Sequence, residues 1–202
     1  MNKNLIVGLF LGWFMLTGCV QGQSPARPGE AQLTLSDSGA WCWYQDPRAV
    51  YVKGEHERLY LGWMTHDGKL QAGSYDLKTR ERQVFTLRES WDVDDHNVNS
   101  FLVLPDKRLM AFYARHNRQG LYCRTTQRPE DITAWEEEVC VCDDNHLTYS
   151  HPVYLAAEKR MYVFWRGKTW KPTFSTSTDG KTWTPPQILV QEEGRETYGI
   201  RP

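Results

Sequence analysis

The sequence lacks an excess of charge of either sign, since 24 basic and 25 acidic side chains give a formal net charge of −1 over 202 residues. Proteins that bind nucleic acids through their phosphates usually carry a clear basic surplus, so we expect no nucleic-acid partner. Cysteine is also scarce, with five residues and no Cys-x-x-Cys pair. This spacing argues against a zinc site, and we expect neither a metal nor another cofactor.

Long apolar runs are missing too, except near the N-terminus. Lys3 precedes the apolar stretch Leu5–Leu16, which is shorter than the about 20 residues that a transmembrane helix needs. Leu16-Thr17-Gly18-Cys19 follows and completes the pattern of a secretory signal over residues 1–18. The tetrad resembles a bacterial lipobox, which implies cleavage before Cys19 and lipidation of its thiol. A plain signal peptide with an incidental cysteine is the alternative.

An exported, membrane-anchored lipoprotein is therefore expected, held at the outer membrane, cell surface or periplasmic side only by its N-terminal lipid. Residues 19–30, rich in Gly, Pro and Gln, predict a tether to the folded part. An exported protein can form disulfides, and we expect at most one, between Cys123 and either Cys140 or Cys142. These two are separated by one residue and should face the same side of a strand. All of these cysteines, with Cys42, can equally be buried thiols.

A strand-rich repeat of about fifty residues fills the rest of the chain. Each copy begins with arginine, continues as an apolar and aromatic strand, and ends in a polar loop. The copies, spaced by 50 and 52 residues, are Arg58–Thr65, Arg108–Arg115 and Arg160–Gly167. A strand repeat of this period predicts an all-β fold, a β-propeller with one four-stranded blade per repeat.

Further strand-like segments complete the blades, at about residues 44–90, 94–142 and 149–191, and residues 197–202 resemble the start of another. Since propellers close with 4–8 blades, residues 31–202 are expected to form about three blades of a larger propeller. Supply of the other blades by a second chain is the alternative. Ser177–Trp183 resembles the Asp-box of sialidase-type propellers, one residue shorter, and predicts a hairpin turn above a packed tryptophan.

Strand direction predicts which loops share a face. Because blade strands are antiparallel, the starts of the innermost strands and the loops after the second strands lie together. Four of the six histidines fall on this face, namely His66, His96, His116 and His151. His96 and His116 belong to one blade, and Asp94 and Asp95 can orient an imidazole or cap the turn. Polar groups that converge at a channel mouth predict a functional site.

Arginines from successive blades join this face. Arg48, Arg166 and Arg201 suit a carboxylate ligand through paired hydrogen bonds. They can alternatively neutralise Asp46 and the acidic pair before His96.

Together these motifs resemble a known family. They are Trp43–Arg48, Asp94–Asn97, Tyr113–Asn117, Phe164–Gly167 and Arg201-Pro202. The resemblance is to the BNR (Asp-box) repeat propellers of polysaccharide-degrading bacteria, similar to seven-bladed ulvan lyases and propeller α-L-rhamnosidases, and it covers about residues 40–202. It implies a seven-bladed full-length propeller and an enzyme acting on an acidic, uronate-containing polysaccharide.

The resemblance also implies residue roles in β-elimination. His96 and His116 are the acid/base pair, and Tyr149 or Tyr198 is the proton donor. Arg166 or Arg201 neutralises the uronate carboxylate. The remaining expected substrate contacts are Arg48, Asn97, Asn117 and His151. A glycoside hydrolase of the rhamnosidase or sialidase kind, a non-catalytic glycan-binding propeller and an inactive fragment are the alternatives.

Overall fold

The computed structural model describes residues 34–40, 42, 49–167 and 170–190. The strands form three antiparallel sheets. The first contains β1 (Gly39–Ala40), β2 (Ala49–Lys53), β3 (Glu57–Thr65), β4 (Leu70–Asp76) and β5 (Arg82–Arg88). The second contains β6 (Ser100–Val103), β7 (Leu109–Ala114), β8 (Leu121–Arg128), β9 (Asp131–Trp135) and β10 (Val139–Cys142). The third contains β11 (Thr148–Leu155), β12 (Arg160–Arg166), β13 (Pro172–Ser177) and β14 (Gln187–Ile188).

Each sheet is built around a four-stranded antiparallel meander, in the orders β2-β3-β4-β5, β6-β7-β8-β10 and β11-β12-β13-β14. This confirms the all-β prediction of three four-stranded propeller blades. Two short strands were not predicted. β1 extends the first blade beside the end of β3, and β9 pairs with the end of β8.

The core lies between the blades, and β7 in the second blade contributes to both interfaces because its side chains alternate between faces. One set packs with first-blade residues such as Tyr60 and Leu70, and consists of Leu109, Ala111 and Tyr113. The other packs with third-blade residues such as Met161 and Val163, and consists of Met110, Phe112 and Ala114. The blades are thereby held face to face by apolar burial.

The predicted Asp-box turn lies between β13 and β14, as expected. Asp179 Oδ1 accepts the backbone N–H groups of Lys181 and Thr182, both at 2.8 Å. These backbone hydrogen bonds lower the pKa of Asp179 to about 2. The Trp183 ring packs edge-on against Phe112, with ring centroids 5.6 Å apart, so the turn fastens the third blade to the second.

The cysteines of the second blade are thiols rather than disulfides. Cys123 and Cys142 are buried, whereas Cys140 is exposed, because a β-bulge shifts the register between the two cysteines of β10. The prediction that Cys140 and Cys142 face the same side is therefore wrong. Burial raises the pKa of Cys123 to about 12, which leaves this thiol unreactive near neutral pH.

Several sequence predictions lie outside the described residues. These are the signal peptide, the tether and Cys19, together with Asp46, Arg48, Tyr198 and Arg201. Within the described ranges, no helix is long and apolar enough to cross a membrane.

Glu130 links the first two blades at the ends of the strands opposite the histidine face. It lies in the β8–β9 turn with φ +55°, and its side chain is buried. Its carboxylate accepts the backbone N–H groups of Glu55 at 3.2 Å and His56 at 2.8 Å. Gly54 leaves room for this contact, because a Cβ there would lie 1.6 Å from Glu130 Oε1.

We predict that Gly54→Ala and Glu130→Ala each lower the free energy of unfolding by roughly 1–2 kcal/mol, since both leave the same partly buried backbone donors without their charged acceptor. The double variant should be no less stable than Glu130→Ala alone, because the added methyl then has no carboxylate to displace. Chemical denaturation measures all three. Gly39→Ala, whose Cβ would meet its nearest atoms at 3.4 Å, is the control. Additive losses would show that the two residues act independently.

Candidate functional site

A short turn between the first and second blades presents His96. Asp94 caps a single 3₁₀ turn, Asp95–Asn97, and accepts the backbone N–H of His96 at 2.9 Å. The same carboxylate oxygen lies 2.6 Å from His96 Nδ1. Asp94 therefore fixes both the backbone and the ring of His96.

His116 reaches the same carboxylate from the loop after β7. Its Nδ1 lies 2.9 Å from the second oxygen, Asp94 Oδ2. The rings of His96 and His116 are stacked, with centroids 4.1 Å apart and planes inclined by 17°. Asn97 Oδ1 accepts the backbone N–H of His116, which ties the loop to the 3₁₀ turn. Residues twenty positions apart in sequence thus form one unit.

The Asp94 carboxylate sets the chemistry of the pair. Burial raises its pKa, but hydrogen bonds from the His96 backbone and from both rings outweigh this, and the net pKa lies below the usual value. Asp94 is therefore ionised at neutral pH. A neutral imidazole beside a carboxylate donates its Nδ1–H, so each Nε2 keeps a lone pair. Asp95 Oδ1 lies 2.9 Å from His96 Nδ1 and reinforces this orientation.

Tyr149 approaches from the third blade through an irregular stretch of β11. The register shifts between Thr148 and His151, and Tyr149 has φ +63°, a conformation uncommon outside glycine. Its ring centroid lies 5.7 Å from that of His96. Strained backbone of this kind is concentrated at functional sites.

Arg166, at the end of β12, stands behind this tyrosine. Its guanidinium carbon lies 5.1 Å from the centre of the Tyr149 ring and 4.2 Å from that of Trp170. One guanidinium nitrogen donates to Thr148 Oγ1 at 3.1 Å. Aromatic rings and a hydroxyl thus hold a largely buried cation next to Tyr149.

A cavity of about 340 Å³ lies beside Asp94, between the first blade and the turn that carries this residue. Its polar lining comes from the β1 region, the loop after β3 and the turn before β6, and consists of Asp37, Ser38, Thr65, His66, Asp94 and Asp95. His66 Nδ1 contacts Ser38 Oγ. Sequence reasoning missed Asp37 and Ser38, because they lie in a turn directly before the two-residue strand β1, which has no recognisable pattern.

Two overlapping sets of donor atoms here can hold a metal ion. Asp94, His96 and His116 form one set, and Cys42, Asp95 and His96 form the other, with the ligand atoms of each within 4.8 Å of one another. Nitrogen, oxygen and sulfur donors of this kind suit zinc. A cation bound there would compete with the hydrogen bonds from the ring Nδ1 atoms to Asp94.

The other expected site residues lie differently. Asn97 is fully buried and holds the His116 backbone, which is a positioning contact. Asn117 is exposed, and its Oδ1 lies 3.0 Å from His146 Nδ1. His151 lies on β11 in register with Phe164.

Comparison with known proteins assigns this sequence to a family. A model described as "BNR repeat-containing family member" matches residues 58–198, which is more than half of the sequence. The chain belongs to this BNR repeat-containing family. No curated protein matches the sequence.

Solved structures share the fold of this BNR-repeat chain. A polysaccharide lyase of family PL25, an ulvan lyase, is 19% identical with a TM-score of 0.62, over 80% of this chain and 42% of that one. The polysaccharide lyase Uly1 is 10% identical with a TM-score of 0.51, over 84% and 45% respectively. The catalytic domain of a GH62 α-L-arabinofuranosidase from Coprinopsis cinerea is 12% identical with a TM-score of 0.50, over 73% and 51%. This BNR-repeat chain thus spans less than half the length of the two lyases.

We predict that the neutral rings of His96 and His116 both carry their proton on Nδ1, because Asp94 accepts from each. Nitrogen-15 NMR of the imidazoles distinguishes the two tautomers directly. Asp94→Ala should shift both rings towards the Nε2–H form that is usual for an unconstrained histidine. His56, which lies beside Asp76 at the opposite ends of the strands, is the internal reference and should not change. Two Nε2–H rings in the unaltered protein would contradict the geometry.

Proposed function

We propose that this protein degrades a uronate-containing polysaccharide by β-elimination, with His96 and His116 at the reaction centre. The observation that carries the proposal is the stacked imidazole pair held through Nδ1 by one carboxylate. Both Nε2 atoms can then exchange protons with a substrate. Tyr149 lies beside His96, and the largely buried Arg166 lies behind Tyr149. β-Elimination uses a proton donor and a cation that neutralises the uronate carboxylate, and these two side chains can supply them.

The proposed reaction begins when one imidazole Nε2 removes the proton on C5 of the uronate. The electron pair left on C5 is stabilised by delocalisation into the adjacent carboxylate, whose charge Arg166 neutralises. The pair then forms the C4–C5 double bond as the C4–O bond breaks. The departing oxygen takes a proton from the Tyr149 hydroxyl, or from Nε2 of the other imidazole when that ring is protonated on both nitrogens.

Hydrolysis is less well suited to this site. Glycosidases usually need two carboxylates, one as acid and the other as nucleophile or base. Asp94 is occupied by two imidazoles, and Asp95 lies against the ring of His96. Both acids are therefore placed to orient histidines rather than to serve as the acid and the nucleophile or base of a glycosidase.

We further propose that Cys19 carries the lipid of an exported lipoprotein. A polysaccharide too large to enter a cell has to be cut outside the cytoplasm, and the signal and lipobox patterns suit that location. Tyr198, Arg48 and Arg201 remain proposed contacts from the residues that flank the described ranges.

We predict that His96→Ala and His116→Ala each lower turnover of a uronate-rich polysaccharide by about 10²- to 10⁴-fold, the usual contribution of acid–base catalysis. The ultraviolet absorbance of the unsaturated uronate product follows the reaction. His56→Ala, on the opposite strand ends, should keep the activity of the unaltered protein. Full activity of both site variants would refute the assignment, and products without the absorbance would indicate hydrolysis. Binding without any product would indicate a glycan-binding protein.

A further inference from the structure

The two sides of the histidine pair differ in charge. On one side lie Tyr149, Trp170 and the guanidinium of Arg166. On the other side, the cavity beyond Asp94 is lined by three carboxylates, those of Asp37, Asp94 and Asp95. Among the described residues that line it, none is lysine or arginine.

The nearest lysine on the adjoining loop does not offset this charge. Lys69 Nζ lies 3.3 Å from Asp67 and 3.9 Å from Glu89, so acids outside the cavity neutralise it. The cavity is therefore an acceptor-rich, negatively charged wall next to the reaction centre.

Three carboxylates that line one cavity discriminate between ligands by their charge. They repel a sulfate or a second carboxylate, and they accept hydrogen bonds from sugar hydroxyl groups. The remaining lining groups include the hydroxyls of Ser38 and Thr65 and the side chain of Met64, which suit a polar but uncharged ring.

We infer that this cavity binds an uncharged, non-sulfated sugar next to the uronate, whereas the uronate carboxylate lies on the Arg166 side. This rests on the proposed function and adds a specificity to it. The polymer that the protein cleaves best therefore alternates a uronate with a neutral sugar. Asp37 is the specificity-determining residue that can be changed without touching the histidines.

The test compares a sulfated rhamnose–glucuronate polysaccharide with its chemically desulfated form, using the full chain. The desulfated polymer should have the higher kcat/KM, by about tenfold or more, a factor expected when an anion is repelled by nearby carboxylates. Raising the salt concentration should lower the ratio of kcat/KM for the desulfated polymer to kcat/KM for the sulfated polymer, because ions screen charges that are partly exposed. Asp37→Asn should lower the ratio of the two kcat/KM values about twofold, because one of three equal charges contributes a third of the free energy behind a tenfold preference.

Glu81→Gln is the matched control, since it removes an exposed acid in the β4–β5 turn at the opposite strand ends. The Glu81→Gln variant should leave the ratio of the two kcat/KM values unchanged. A ratio that favours the sulfated polymer, or that Asp37→Asn and salt do not alter, would overturn the inference. A sulfate preference abolished by EDTA would also overturn it and would indicate that a cation bridges the acids and the sulfate.

Binding separates this inference from the proposed function. The His116→Ala variant is titrated by calorimetry with oligosaccharides of both polymers. Tighter binding of the desulfated form is expected whether or not the unaltered protein yields an unsaturated product. Equal binding, tighter binding of the sulfated form, or no binding of either would contradict the neutral subsite.

Discussion

The burial of β7 on both faces is the constraint on which the described fold depends. Alternate side chains of one six-residue strand fill the interface with the first blade and the interface with the third. Such a strand cannot shift by one residue, because every side chain would change faces. The register of β7 thereby fixes where the following loop begins, and that loop carries His116. Apolar packing in the core thus determines the position of a polar group at the surface.

Asp94 brings His116 and His96 together at one carboxylate. Its carboxylate receives one imidazole from its own 3₁₀ turn and another from the loop after β7, so the pair forms only if both segments are in place. The buried side chain of Asn97 adds a second connection between them. Tyr149 and Arg166 come from the next blade, whose packing on β7 brings them close. The site is therefore a product of the blade interfaces rather than of any single loop.

The fifty-residue repeat was sufficient to predict the twelve blade strands, because alternating apolar residues and turns are local signals. Strand direction also predicted that His96 and His116 lie on one face. The sequence did not reveal the β-bulge between Cys140 and Cys142. It also did not reveal the hydrogen bonds that the Glu130 carboxylate accepts from the first blade, or the carboxylate-lined cavity that contains Asp37. Each of these depends on contacts between distant segments. Asn97 shows the same limit, since a polar residue in a loop motif suggested substrate binding but serves to position His116.

The masses of the products distinguish β-elimination at the histidine pair from hydrolysis. β-Elimination breaks a glycosidic linkage without consuming water, whereas hydrolysis adds one water molecule for each bond that is cut. A defined uronate-containing oligosaccharide is digested with the full chain, and the masses of the two product fragments are measured by mass spectrometry. If the histidine pair acts as proposed, the two fragment masses add up to that of the substrate. A sum larger by one water molecule would contradict the account.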